Sequence, residues 1–478
     1  MSLKLGPVVG STTHKEAKIW VQTHRPAKLE CRVYTDPGGS KQVPDSPFAF
    51  QTEERIGCTG VVTVALPQGD SKYYYGIFEK KGSSSVAISQ INSFRSFPDP
   101  KKKIESVSFA LVSCNKPTDF KYEKELSLRN MWRHLFVEMS RNDTSFLLAA
   151  GDQVYADHER RNAWQESVDG PPHKTPLDLY RDVYYTHWSF PEIQMVLGNF
   201  PSFMIWDDHE ITNGWGSSIR HGEKRSQEIF LVARKAYEEF QHSHNPAALS
   251  LPKDHKPTPD HRPYYYAFKY GPVAFLVLDL RGNRRIWDGQ LLGTDQWAAL
   301  RRWFASKEAK DSKILFVVSS VPMIHLRRLF GWLWWMKTDI ADQWSSPHNT
   351  KERRELLSLL FDKYVEKGKR QVFILGGDVH VGTVAKITDR ASGQSIHQFT
   401  SSPISNKPER LLDSLLKRFS SKFSFRLDND GNRYADVEIY KRYRQRNFGI
   451  ITVSLGSPPN TTLKMYQEKE GQPDETVI

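Results

Sequence analysis

The sequence predicts a mixed α/β protein in which a small antiparallel β-domain precedes an α/β core, and three features carry that expectation. Four continuous apolar runs, 108–114, 146–155, 203–210 and 372–380, each close on residues with metal-binding side chains. Around them, strand-like runs alternate with helical periodicity, the pattern of a largely α/β fold. Residues 4–97, by contrast, alternate apolar and polar positions with no helical period.

In that first stretch the runs Ala17-Lys-Ile-Trp-Val-Gln, Leu29-Glu-Cys-Arg-Val-Tyr, Gly60-Val-Val-Thr-Val-Ala-Leu and Tyr73-Tyr-Tyr-Gly-Ile-Phe are separated by clusters of Gly, Pro, Asp and Ser. Successive side chains on a strand point to opposite faces, so the pattern predicts a sandwich of immunoglobulin or fibronectin type over 1–100. It holds no ligand-like cluster, and its expected role is to shield or position the rest of the chain. Pro98-Asp-Pro-Lys-Lys-Lys103 then breaks the pattern with two prolines and a charge run, which sets the start of a second domain, 101–478.

Within the second domain, 124–142 predicts the clearest helix, with Leu128, Met131, Trp132, Leu135, Phe136 and Met139 three and four residues apart on one face. It joins the run ending at Cys114 to the run ending at Asp152, a βαβ unit. Further helices are expected at 227–241, 294–307 and 351–367, with strands at 273–278, 314–318 and 372–375. No internal repeat or low-complexity tract interrupts them.

The chain has 478 residues, and its 67 Lys+Arg against 55 Asp+Glu give a net charge of +12. That excess favours anionic partners, whether phosphorylated metabolites, nucleic acid or an acidic membrane surface, without choosing among them. Three cysteines, Cys31, Cys58 and Cys114, argue against a disulfide framework and suit a reducing compartment. Cys31 and Cys58 are expected to be buried apolar thiols. The stretch Met1-Ser-Leu-Lys-Leu-Gly-Pro has neither a long apolar segment nor an arginine pair, and no stretch reaches the ~18 apolar residues of a membrane span, so the expected location is cytoplasmic.

Runs that are apolar throughout read as strands buried on both faces, and ligands gather beyond the carboxyl ends of such strands. One Gly-Asp after a strand is usually only a turn. Four compatible endings are different, because a buried carboxylate with no cation or partner is costly. Cys114, Asp152, Tyr155 and His380 offer thiolate, carboxylate, phenolate and imidazole, a set for a transition ion; Asp208, Asn213 and Asp378 make an oxygen-rich set for calcium or magnesium, with Asp152 able to bridge. Two ions so placed can clamp a phosphoryl oxygen and acidify a water to give hydroxide for in-line attack.

Five motifs in order, Ser113-Cys114, Gly151-Asp-Gln-Val-Tyr155, Trp206-Asp-Asp-His-Glu-Ile-Thr-Asn213, Leu278-Asp-Leu-Arg281 and Gly377-Asp-Val-His380, resemble the alkaline phosphatase D (PhoD-like) metallophosphatases, relatives of purple acid phosphatases and calcineurin-like phosphoesterases. The resemblance covers nearly the whole chain. It implies a four-layer α/β/β/α core, with iron(III) held by Cys114, Asp152, Tyr155 and His380 and a second ion, often calcium, held by Asp208 and Asp378 with Asp152. Zinc, manganese and magnesium are the alternative metals. It further implies that His209 protonates the leaving group, and that Asn213 serves either as ligand or as phosphate contact. Arg281 is expected either to clamp phosphate oxygens with its planar fork or to pair with Asp279.

The expected function is therefore metal-dependent hydrolysis of phosphate monoesters or diesters, on small-molecule phosphoesters and with no specific nucleic acid. The rivals are a phosphodiesterase or phospholipase and a non-catalytic anion-binding protein on the same scaffold. Arg327-Arg-Leu-Phe-Gly-Trp-Leu-Trp-Trp-Met-Lys337 concentrates Trp332, Trp334 and Trp335 and is too short to span a bilayer. It reads as an aromatic flap, a peripheral membrane or lipid contact, or plain core packing.

Overall fold

The computed structural model describes residues 2–117, 127–157, 174–325, 341–365, 370–408, 421–428, 432–468 and 473–478. Eight strands open the chain: β1 (Leu5–Thr12), β2 (Glu16–Gln22), β3 (Ala27–Tyr34), β4 (Phe48–Thr52), β5 (Thr59–Ala65), β6 (Lys72–Lys81), β7 (Ser84–Ala87) and β8 (Asn92–Arg95). They form two antiparallel sheets, β1-β2-β5 and β4-β3-β6-β7 with β8 beside β6. Ile19, Val21, Val33, Val64, Tyr75 and Ile77 from both sheets share one buried core. Trp20 faces the other way, into the main core, and its indole N–H donates to the Glu239 carbonyl at 2.8 Å. Cys31 is buried as expected; Cys58 is only half-buried, because it sits at a left-handed turn residue with φ 55° instead of in a strand.

The larger part begins with β9 (Ser106–Val112), α1 (Ser127–Arg141), β10 (Phe146–Ala150), α2 (Pro176–Trp188), α3 (Pro191–Asn199), β11 (Ser202–Ile205) and α4 (Lys224–Phe240). β12 (Tyr266–Tyr270), β13 (Val273–Val277), α5 (Gly293–Ala305), β14 (Ile314–Val318), α6 (Thr350–Leu359) and β15 (Gln371–Gly376) come next. The chain closes with β16 (Gly382–Asp389), β17 (Ser395–Thr400), β18 (Lys422–Arg426), β19 (Tyr434–Tyr443), β20 (Asn447–Ser454), β21 (Asn460–Gln467) and β22 (Asp474–Val477). β9 and β10 pair in parallel with α1 between them, so the expected βαβ unit is present. The start of its helix at Lys124 and the side chain of Leu128 lie outside the described residues.

The four apolar runs divide between two sheets. β9, β10 and β11 lie together in a six-stranded sheet of order β11-β10-β9-β20-β21-β22, whereas β15 belongs to an eight-stranded sheet of order β12-β13-β14-β15-β17-β16-β19-β18. Edge-on aromatics join the two sheets: the Phe109 ring lies 5.0 Å from Phe275 and 4.9 Å from Phe316, and Phe146 lies 5.2 Å from Phe275. Along β13 and β14 the alternate residues Ala274, Leu276, Leu315 and Val317 turn to the opposite face, where Trp297, Leu300 and Trp303 of α5 and Leu356 and Leu357 of α6 cover them. A strand with core on both faces must be apolar at every position, which is why these runs show no alternation. Met131, Trp132, Leu135 and Met139 of α1, with Ile193, Val196 and Leu197 of α3, are buried in the main core.

Candidate metal centre

Cys114, Asp152, Asp207 and Asp378 each lie two residues past the end of a parallel strand, β9, β10, β11 and β15 respectively. Two glycines let the ends of the two sheets meet. A Cβ on Gly377 would stand 2.5 Å from both the Ala150 carbonyl oxygen and Ser113 Cβ; one on Gly151, whose φ is +93°, would stand 2.7 Å from Asp207 Cβ. The turns beyond these strands are tight enough to force Cys114, Asp152, Asp378 and His380 into the left-handed region, with φ of 56°, 55°, 61° and 51°. Each such L residue costs roughly 1–2 kcal/mol, a strain that persists where surrounding structure imposes it and that gathers at functional sites.

The side chains so delivered converge on Asp152. Its Oδ2 lies 3.3 Å from the Cys114 thiol and 3.3 Å from the Tyr155 hydroxyl, and that hydroxyl lies 3.2 Å from His380 Nε2. Ligand atoms of Asp152, Asp208 and His209 all fall within 4.8 Å of one another, as do those of Asp152, Asp207, Asp208 and Asp378. Glu210 holds the scaffold beneath them: it accepts the backbone N–H groups of Asp152 at 3.2 Å, Gln153 at 2.6 Å and Asp207 at 2.8 Å, and the Gln241 amide at 3.0 Å.

Burial and mutual repulsion dominate the electrostatics. Loss of water, then the negative charge of Asp208, Asp207 and Glu210, raises Asp152 well above the usual carboxylate range against the pull of His209. Burial first and neighbouring carboxylates second also raise Asp378, the Cys114 thiol and the Tyr155 phenol, and burial pushes Asp207 up to about 6 and Glu210 up to about 7. His209 goes the opposite way for an imidazole in the core: burial alone would lower it, but Asp157, Asp208 and Asp152 outweigh that and hold it well above its ordinary value. One Asp207 oxygen (Oδ2) and one Asp208 oxygen (Oδ1) are buried and accept no hydrogen bond among the described residues. Carboxylates, thiol, phenol and imidazole in this state fit one or more metal cations, whose charge would reverse the carboxylates' upward shifts.

Of the residues expected at the site, Cys114, Asp152, Tyr155, Asp208, His209, Asp378 and His380 are brought together by these contacts. Asn213 is exposed, and what it contributes is a backbone N–H to Asp157 Oδ2 at 2.5 Å. Arg281 does not form the expected side-chain pair with Asp279. Its guanidinium is fully buried, pairs with Asp207, makes a two-pronged bond to Asp342 at 2.6 and 2.9 Å and donates to the Trp215 carbonyl at 3.1 Å. Asp279 accepts only its backbone N–H, at 2.9 Å, so the fork is spent on aspartates other than the one expected and is turned away from solvent. The Trp-rich stretch 327–337 lies outside the described residues.

Five residues of the centre were not expected from sequence: Asp157, which receives His209, and Asp207, Glu210, Asp342 and Gln343. Asp157, Asp207 and Glu210 had a signal, since Asp207 and Glu210 sit inside and Asp157 just beyond the metallophosphatase-like motifs; Asp342 and Gln343 lie in a segment with no periodic pattern.

The profile of the PhoD-like phosphatase family matches residues 109–453. Among curated proteins, alkaline phosphatase D of Bacillus subtilis is 23% identical over 333 residues, covering 66% of this chain and 52% of that protein. An uncharacterized protein of Saccharomyces cerevisiae is 23% identical over 326 residues, covering 50% of this chain and 45% of its own length, so the chain spans about half the length of the curated relatives it matches. Among solved structures, that of PhoD superposes with a TM-score of 0.71 at 17% identity, covering 100% of this chain and 89% of that one. A purple acid phosphatase from yellow lupin seeds gives 0.57 at 11% identity, with 99% and 73% covered. With its ligand-bearing strand ends inside the matched residues, the chain belongs to the PhoD-like phosphatase family.

Proposed function

We propose that the chain is a metal-dependent phosphoesterase of alkaline phosphatase D type, hydrolysing phosphate monoesters or diesters. The carrying observation is two overlapping groups at the meeting of two sheets, Asp152 with Asp208 and His209 and Asp152 with Asp207, Asp208 and the half-buried Asp378, within a chain of this family. In this reading Cys114, Asp152, Tyr155 and His380 hold iron(III), and Asp208 and Asp378 hold calcium with Asp152; zinc, manganese or magnesium are the alternatives. When bound, the ions supply positive charge for the phosphoryl oxygens and lower the pKa of the attacking water.

The remaining steps belong to the protein. A carboxylate only accepts hydrogen bonds, so Asp157 fixes the proton of His209 on Nδ1 and leaves Nε2 to hold the second proton of the imidazolium. As the P–O bond of the ester breaks, that Nε2 proton passes to the departing alkoxide. Arg281 has its guanidinium engaged by Asp207, Asp342 and the Trp215 carbonyl. Its work is to hold Asp207 and Asp342 in place. The four-layer core, a separate domain over 1–100, a cytoplasmic location suited to three free thiols, and contact of 327–337 with lipid or bulky apolar esters belong to the same proposal.

The test is turnover by the purified native chain on a panel of aryl and alkyl phosphate monoesters and diesters, with each candidate metal added in turn. Metal-dependent hydrolysis of at least one class is expected. Absence of turnover across the panel with every metal would contradict the proposal.

A further inference from the structure

The segment 341–349 brings to the carboxylate cluster a side chain that no strand end supplies. Gln343 is 6% exposed, and its Nε2 donates to Asp378 Oδ2 at 3.2 Å. Its Oε1 is buried and accepts no hydrogen bond among the described residues. With a cation bound, the Asp378 carboxylate would be ionised and have no proton to give, so the NH₂ end of the amide is the one that can face it.

The backbone on either side of Gln343 is held with unusual thoroughness. Asp342 takes both arms of Arg281, at 2.6 and 2.9 Å, and Arg284 pairs with the same carboxylate at 2.9 Å. Arg284 also donates to the carbonyls of Ala341 and Asp342, at 3.1 and 2.9 Å. The Asn349 amide donates to the Gln343 carbonyl at 2.8 Å, and the Trp344 indole donates to Ser319 Oγ at 3.0 Å. Two cations, an amide and an indole thus fix a stretch that leaves a helix at 341–342 and runs on through turns, the first closed by the Ser346 N–H on the Gln343 carbonyl at 2.9 Å. Through Asp207, Arg281 ties that stretch to the same cluster its neighbour Gln343 touches.

We propose that Gln343 is a positioning residue that orients the Asp378 carboxylate toward the cation held by Asp378 and Asp208, and that Arg281 and Arg284 act through Asp342 to keep it there. This rests on the reading of the cluster as a metal centre. Residues that orient a metal ligand from behind change affinity when lost, typically by about 10–100-fold. The alternative role for Gln343 is to fill space beside Asp378, and the two roles give different results in a variant cycle.

Gln343→Leu and Gln343→Met remove both amide atoms at similar volume. Metal-free native protein and both variants are titrated calorimetrically with calcium and, separately, with manganese, after near-UV circular dichroism has established that the variants pack as the native chain does. Each variant is expected to lose about 10–100-fold in affinity for one ion, and the same substitution in an Asp378→Asn background is expected to cause no further loss, because the route it acts through is already gone. Native-like affinity in both variants, or an equal loss in the Asp378→Asn background, would overturn the inference while leaving the metal centre standing. A native chain that binds neither ion would overturn the metal-centre reading and the inference with it.

Discussion

Asp157 holds Nδ1 of His209 with both of its carboxylate oxygens, at 2.9 and 3.1 Å, while the Tyr155 ring lies against the imidazole at 4.2 Å. The pair fixes the ring's orientation, and Asp157, Asp208 and Asp152 together raise the imidazole well above its ordinary pKa against the effect of burial. Both are requirements for a proton donor.

Asp157→Asn keeps the shape of the side chain and removes its charge. It is expected to slow hydrolysis while leaving metal content unchanged, with a loss approaching the roughly 10²–10⁴-fold that general-acid help is worth. The loss should be larger for an alkyl phosphate than for nitrophenyl phosphate, whose leaving group needs no proton. Steady-state kinetics on the two esters check this, and equal slowing of both would remove the pair from proton transfer.

Glu210 ties the end of β10 to the end of β11 by accepting three backbone N–H groups, at 3.2, 2.6 and 2.8 Å. Glu210→Ala strands those buried donors, each at a cost of about 1–3 kcal/mol. Denaturant unfolding of the metal-free chain should register a loss of about 3 kcal/mol or more. A loss under about 1 kcal/mol would mean the loops are set by other contacts.

Arg281→Met leaves Asp207 buried without its cation and Asp342 with Arg284 alone, and breaking a buried pair in this way costs roughly 3–5 kcal/mol. Unfolding should therefore move far more than KM does. A raised KM with unchanged stability is the contrary outcome, and it would restore the phosphate contact that the sequence suggested.

Away from the centre, Asp295 at the start of α5 accepts His255 Nε2 at 2.6 Å, Thr258 Oγ1 at 2.7 Å and His261 Nδ1 at 2.9 Å. Burial would raise its pKa, but these donors prevail and bring it down to about 2. A depressed folded-state pKa stabilises above the unfolded value near ~3.9 and loses that contribution as pH falls through the folded one. The stability difference between the native chain and Asp295→Asn should stay level above about pH 5 and shrink from about pH 4 down to about 2. Urea midpoints across that range check it, and a pH-independent difference would assign the cluster no acid linkage.

Much of the centre was legible because its residues obey a rule visible in the chain: an apolar run that closes on metal-binding side chains. That rule finds Cys114, Asp152 and Asp378 and brings Asp208 with them. It cannot say which runs share a sheet, since buried strands look alike in sequence while pairing depends on contacts far apart; the separation of β15 from β9, β10 and β11 was accordingly invisible. The antiparallel strands β18 to β22 were missed for a related reason. β18 and β19 alternate in burial but stand beside segments rich in charge, and β20 joins β9 across more than three hundred residues, its Ile451 opposite Phe109. Arg281 shows the limit of motif reasoning: its position beyond a strand was correctly read, but the partners of a buried fork are set by Asp207 and Asp342, which come from other parts of the chain.

In the proposed metal centre one carboxylate, Asp152, is shared by both parts. Elemental analysis of the native chain and of Asp152→Ala, each loaded with the same metals and freed of excess, tests it most directly. About two ions per native chain and loss of both in Asp152→Ala, with hydrolysis abolished, are expected. Full metal retention by folded Asp152→Ala would contradict it.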